Sequence, residues 1–106
     1  MKRSIVILPL ARSDLYEIGL YLSERDLEVS KRFNQAVDRT LEYLLDSPES
    51  GERRNYSNPE YADMRIWQVF GFPNHLIFYR VNTASLTVVR VLHGARDYET
   101  IFNDRH

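Results

Sequence analysis

The chain has 106 residues, 43% of them apolar and 27% charged, with a formal net charge of −1. That is enough for one hydrophobic core, and so even a balance excludes bulk polycationic attraction to nucleic acid. The absence of cysteine excludes disulfides, thiolate catalysis and sulfur-ligated zinc.

Charge is nonetheless uneven along the chain. Residues 1–50 carry a balance of −2 and residues 51–106 one of +1, and twelve of the fourteen basic residues are arginine. Arginine favours planar, bidentate contacts with carboxylate or phosphate.

After Met1, Lys2 and Arg3 comes a β-branched run, Ser4 to Leu8. It predicts a short buried strand closed by Pro9. The run is shorter than a secretory signal core, and no stretch is long enough to span a bilayer. A cytoplasmic protein without membrane contact is expected.

Ala11, Leu15, Ile18 and Leu22 recur at helical spacing and predict a helix from Ala11 to about Arg25, with Tyr16 and Leu20 beside the stripe. Ser13 or Asp14 is the expected cap. A second helix is predicted from about Leu27 to Asp46. Val29, Phe33, Ala36, Val37, Thr40, Leu41, Leu44 and Leu45 form its apolar stripe, while Arg32, Asp38, Arg39 and Glu42 take the other side. The short break at Glu24-Arg25-Asp26 implies an antiparallel pair. Both stripes are read as core.

Pro48 and Gly51 end the second helix. Glu52 to Asp63 reads as a polar loop that Tyr56 and Tyr61 pin to the body. Met64 to Phe70 reads as a strand, Gly71-Phe72-Pro73-Asn74 as a turn, and Leu76 to Val81 as a central strand apolar on both parities. Asn82 to Ser85 is a hairpin turn and Leu86 to His93 the last strand. Ala95 to about Phe102 forms one or two helical turns after Gly94. The whole chain, residues 1–106, is read as one α+β domain: an N-terminal strand, an antiparallel helical hairpin, a three-stranded antiparallel sheet and a short C-terminal helix.

Standard catalytic motifs are absent. The four glycines make no phosphate loop, and no serine sits in a Gly-x-Ser-x-Gly elbow. His75, His93 and His106 lack metal-ligand spacing, so neither a metal nor a cofactor is expected. The notable feature is the run from Met64 to Arg96, which holds no acid but four arginines, Arg65, Arg80, Arg90 and Arg96. Arg90 shares the parity of Leu86, Val88 and Leu92. Such a surface suits an anionic partner. The structural alternative is internal pairing of Arg80 or Arg96 with Asp97, Asp63 or Glu99.

The order of elements resembles the RelE/ParE superfamily of bacterial toxins, and the ParE branch most closely. The resemblance is carried by Leu15, Ile18 and Tyr21, by Leu44 to Pro48 with Gly51, by Met64-Arg65, by Phe78-Tyr79-Arg80 and by His93-Gly94-Ala95-Arg96-Asp97. It spans roughly Ser4 to Phe102.

The resemblance implies the toxin of a type II toxin–antitoxin system, of the kind that serves plasmid stabilisation. ParE-like members inhibit DNA gyrase by protein contact and are not nucleases. RelE-like members cut messenger RNA on the ribosome with a cluster of basic groups. Against the nuclease pattern, Arg65 and Arg96 match basic positions. Trp67 stands where a second cation is expected, His75 or Leu76 replaces an arginine, and Phe102 replaces a tyrosine, with Tyr98 one turn earlier. If the chain were a nuclease, its catalytic set would be Arg65, His75, Arg96 and Tyr98. The favoured reading is a non-enzymatic inhibitor whose partner-binding residues are Arg65, Arg80, His93 and Arg96. Its expected partners are DNA gyrase and a cognate antitoxin with an acidic amphipathic segment and a ribbon-helix-helix domain. No direct sequence-specific nucleic-acid binding is expected. The alternatives are the ribonuclease and a degenerate, non-toxic family member.

Overall fold

The computed structural model describes residues 3–103. Met1, Lys2 and His106, named above, lie outside them.

Strand β1 (Ser4–Ile7) stops short of Pro9, and the proline opens helix α1 (Pro9–Arg25). In the first helical turn its missing N–H removes no hydrogen bond. The helix therefore starts two residues earlier than its apolar spacing predicts. Neither Ser13 nor Asp14 caps it. The N-cap position is Leu8, which makes no side-chain cap bond. Helix α2 (Leu27–Asp46) follows after one extended residue, Asp26, whose carboxylate accepts the Glu28 N–H at 3.0 Å. The Ser30 hydroxyl donates to the Gly19 carbonyl at 2.9 Å and ties the two helices together. The α2 stripe is buried as its periodicity predicts, from Phe33 through Leu44.

The sheet is five-stranded, in the order β1-β5-β4-β3-β2. The predicted antiparallel trio forms its centre: β3 (Met64–Val69), β4 (Phe72–Val81) and β5 (Ser85–His93). Two further strands extend it. β1 joins β5 in parallel, and β2 (Glu52–Arg54), predicted as loop, pairs antiparallel with β3. Being an edge, β1 is not the buried strand its β-branched run predicts; Ile5 is 37% exposed and Val6 41%. Among the described residues, no helix is long and apolar enough to cross a membrane.

Two departures come from strand irregularities. The predicted four-residue turn at Gly71–Asn74 is a tight Phe70-Gly71 turn, with Gly71 at φ 77°. Pro73 then falls inside β4, where the β3–β4 ladder shifts register and no N–H is demanded of it. In the β4–β5 ladder, Phe78 pairs with Arg90 but Tyr79 pairs with Val88, leaving Val89 as an extra residue. Leu86, Val88 and Val91 pack on the helical side, whereas Val89 and Leu92 pack on the other. Arg90 thus loses the parity predicted with Leu86 and Val88 and keeps that with Leu92.

As predicted, β4 is covered on both faces. Ile77 and Tyr79 pack with Phe33, Leu41 and Leu44 beneath the helical hairpin. Phe78 packs on the opposite face with Met64, Tyr56 and Phe102, the last brought there by helix α3 (Tyr98–Asn103). Tyr56 and Tyr61 hold their loop to this cluster, with ring centroids 5.0 and 4.8 Å from that of Phe102.

Candidate functional site

The fold distributes the predicted site residues over two ends and two faces of the sheet. Arg65, on β3, sits opposite Tyr79, and its Nη1 donates to the carbonyls of Glu49 at 3.1 Å and Gly51 at 2.8 Å. Arg80, next to Tyr79 on β4, points to the opposite face because successive strand residues alternate. Its Nη1 donates to the Glu60 carbonyl at 2.6 Å. His93 pairs across the ladder with His75, their ring centroids 5.3 Å apart. Arg96 is exposed in the turn after β5, with its backbone N–H on the His93 carbonyl at 3.0 Å. Tyr98 begins α3 and packs 5.2 Å from Phe78.

Position on the strands separates the nuclease set. His75 lies four residues along β4 from the partner of Arg65, about 13 Å at the usual strand rise. The His75 ring is half-buried, 5.2 Å from that of Phe33 and 6.4 Å from that of Phe72. Burial, and then the neighbouring His93, lower its pKa. The His93 Nδ1 accepts the Ala95 N–H at 3.0 Å, which ties the ring to the turn that follows β5. Trp67 stacks on Tyr43 at 5.9 Å, and Phe102 is fully buried. Both serve packing where the nuclease pattern has reactive groups. Among the described residues, no three His, Asp or Glu side chains gather to hold a metal.

The internal ion pairs predicted for Arg80 and Arg96 do not form. Asp63 takes Arg53 at 2.8 Å, Glu99 takes Arg54 at 3.5 Å, and Asp97 accepts the Thr100 hydroxyl at 2.7 Å. That last bond lowers the Asp97 pKa.

The buried pair is instead Arg90 with Asp14. Arg90 donates to Asp14 through Nε at 2.7 Å and Nη2 at 2.9 Å, and the Val91 N–H joins at 3.0 Å. The cause is topological. β1 pairs with β5 only as far as Val88, so the edge of β5 lies open beyond it. Asp14, projecting from α1, takes the edge N–H that a strand would have taken. The hydrogen bond to Asp14 holds the Arg90 pKa above its ordinary value. Asp14, expected as a helix cap, is instead the partner of Arg90, and its position in the sequence carries a signal for that role. It sits three residues after Ala11 and four before Ile18, on the apolar stripe itself, where a carboxylate needs a partner.

Tyr79 fixes the wall beside Arg65. Its hydroxyl donates to the Pro48 carbonyl at 2.8 Å and accepts the Gly51 N–H at 2.9 Å. Burial raises its pKa. Gly51 is required here because a Cβ would run into the Tyr79 ring and hydroxyl.

Beyond these polar groups, α1 leaves four large apolar side chains exposed. Leu10, Tyr16, Leu20 and Tyr21 are 56%, 68%, 45% and 55% exposed. A groove of about 380 Å³ runs between α1 and α2, lined by Leu15, Tyr16, Gly19, Leu20, Ser30 and Asn34 among others. Tyr16 and Leu20 line that groove, whereas Leu10 and Tyr21 lie beyond Ser13, Glu17 and Glu24, which are exposed between them.

Three comparisons bear on this architecture. The family model for the ParE toxin of the type II toxin–antitoxin system parDE matches residues 5–98. No curated protein matches. A similar solved structure, the chromosomal ParDE toxin–antitoxin system from P. aeruginosa, superposes with a TM-score of 0.66 at 17% identity, covering 87% of this chain and 96% of that one. At that identity the likeness is one of fold. The family match runs from β1 to the start of α3 and takes in the hairpin, the sheet and the His93–Asp97 turn: the chain belongs to the ParE toxin family of type II toxin–antitoxin systems.

Proposed function

We propose that this ParE-family protein inhibits DNA gyrase by protein–protein contact and is neutralised by a cognate antitoxin. The observation that carries this reading is the contrast between its reactive and its apolar surfaces. Arg65 and Arg80 hold backbone carbonyls on opposite faces of the sheet, away from His75 and Arg96, whereas α1 exposes Leu10, Tyr16, Leu20 and Tyr21 beside a groove. A nuclease needs its groups within reach of one phosphate; a binding protein needs area. In this reading Arg65, Arg80, His93 and Arg96 are polar contacts for partners. The antitoxin supplies an acidic amphipathic segment, joined to a ribbon-helix-helix domain, that lies on the helical hairpin. The test is a supercoiling assay with purified gyrase. Inhibition that antitoxin relieves is expected; full gyrase activity at excess toxin, with growth arrest persisting in cells, rejects it.

One observation favours a ribosome-dependent ribonuclease: the His75–His93 pair stands beside the turn that carries Arg96. Primer extension on messenger RNA after induction separates the two. Cleavage that disappears in Arg96→Ala supports the ribonuclease.

A further inference from the structure

The end of the sheet away from the histidine pair contains a hollow of about 300 Å³. Three guanidiniums border it from separate segments: Arg3 ahead of β1, Arg53 on β2 and Arg65 on β3. Arg3 and Arg65 are oriented by neutral acceptors. The Arg3 Nε donates to the Asn82 carbonyl at 2.6 Å, and Arg65 holds the carbonyls of Glu49 and Gly51. A carbonyl fixes a guanidinium without cancelling its charge, so both cations are positioned and un-neutralised. Arg53 alone meets a carboxylate, that of Asp63 at 2.8 Å, and that pair is 59% and 75% exposed. Glu49 is the other acid on the rim, and Pro48 and Val81 add an apolar wall.

Three cations and two acids leave one unbalanced positive charge. A polyphosphate backbone brings several negative charges and meets repulsion from Glu49 and Asp63; a single carboxylate neutralises the hollow. We propose that it binds one side-chain carboxylate of a protein segment, an acidic residue flanked by apolar ones, with Arg3 and Arg65 as donors. Asp63 is then an internal competitor that occupies Arg53 in the free protein. The inference rests on the reading of this protein as one covered by an acidic partner segment, and it adds Arg3, Arg53 and Asp63 to the partner-binding set.

The competitor gives a test that a purely structural role does not share. Asp63 has a φ of 57°, a left-handed conformation that asparagine tolerates well, so Asp63→Asn removes the charge and keeps the turn. The full-length, isotope-labelled protein is titrated with a short glutamate- and leucine-rich peptide, with the same peptide carrying glutamine for glutamate, with acetate and with oligo-dT, and the arginine Nε–Hε signals are followed. The glutamate peptide alone is expected to move the Arg3 and Arg65 signals. Asp63→Asn should tighten binding by about threefold, and Arg3→Gln should weaken it by about tenfold. Arg3 is the variant of choice because its anchor is an exposed turn carbonyl, whereas Arg65 also fastens Gly51. A peptide that moves only α1 signals overturns this inference and leaves the antitoxin reading standing. Oligo-dT moving the arginines in the peptide's place overturns it in favour of nucleic acid. Acetate matching the peptide overturns the protein source, and unmoved arginines with every probe, or an Asp63→Asn variant of unchanged affinity, overturn the site.

Discussion

At the seam between α1 and β5 an arginine meets a carboxylate, whereas at the far end of the sheet arginines meet carbonyls. Arg90 and Asp14 are both largely buried, with side chains 14% and 8% exposed, and their charges cancel in place. Arg65 and Arg3 are oriented by carbonyls, and among the described residues no carboxylate offsets their charge. The difference separates a cation that closes the fold from cations that remain available. Being ordered does not make an arginine structural; being neutralised in a buried pair does, and the exposed Arg53–Asp63 pair is not of that kind.

The comparison can be broken most forcefully at Asp14. Asp14→Ala leaves a buried guanidinium and an edge N–H unpaired, and should cost about 3–5 kcal/mol in urea denaturation. Replacing both members, Asp14→Leu with Arg90→Met, should recover most of that loss, because two apolar side chains leave no orphan charge. If the double variant is as unstable as the single one, the pair does more than neutralise.

The second test addresses the wall that orients Arg65. Gly51→Ala forces a Cβ against Tyr79 and should cost about 1–3 kcal/mol. Adding Tyr79→Phe should relieve part of it, since the hydroxyl is among the nearest atoms in the way. A smaller effect is expected for Arg65→Lys, about 1 kcal/mol, from loss of one of two carbonyl bonds with the charge kept. A loss as large as that of Asp14→Ala would erase the distinction between the two regions.

The smallest effect concerns pH and serves as a control. Burial and His93 lower the folded-state pKa of His75. Between that value and the unfolded value, about 6.5, the unfolded chain binds more protons. Stability is therefore full above about pH 6.5, falls as pH drops toward the folded pKa and then levels. Thermal midpoints at about pH 7.5 and pH 5 should show this decline in the parent, a shallower one in His75→Phe, and an unchanged one in Arg65→Lys, which lies at the other end of the sheet.

Much of this fold is legible in the chain because periodicity reports one-sided burial. The α2 stripe from Phe33 to Leu44 and the two-faced apolar run from Leu76 to Val81 are read at their true places. Composition cannot say where in a sheet a strand lies, so Ser4–Ile7, with the residues of a central strand, is found at the edge. Nor does strict alternation survive a bulge, and the extra Val89 put Arg90 out of step with Leu86 and Val88. Asp14 resembled a cap because caps are local, whereas its real partner lies 76 residues away.

The sequence alone determined the helical hairpin, the three central strands and the His93–Asp97 ending by which the family resemblance is recognised, since each rests on spacing within one segment. Only the tertiary structure decided which arginines meet a carboxylate and which meet a carbonyl. The physical reason is that those acceptors come from distant parts of the chain that folding brings together.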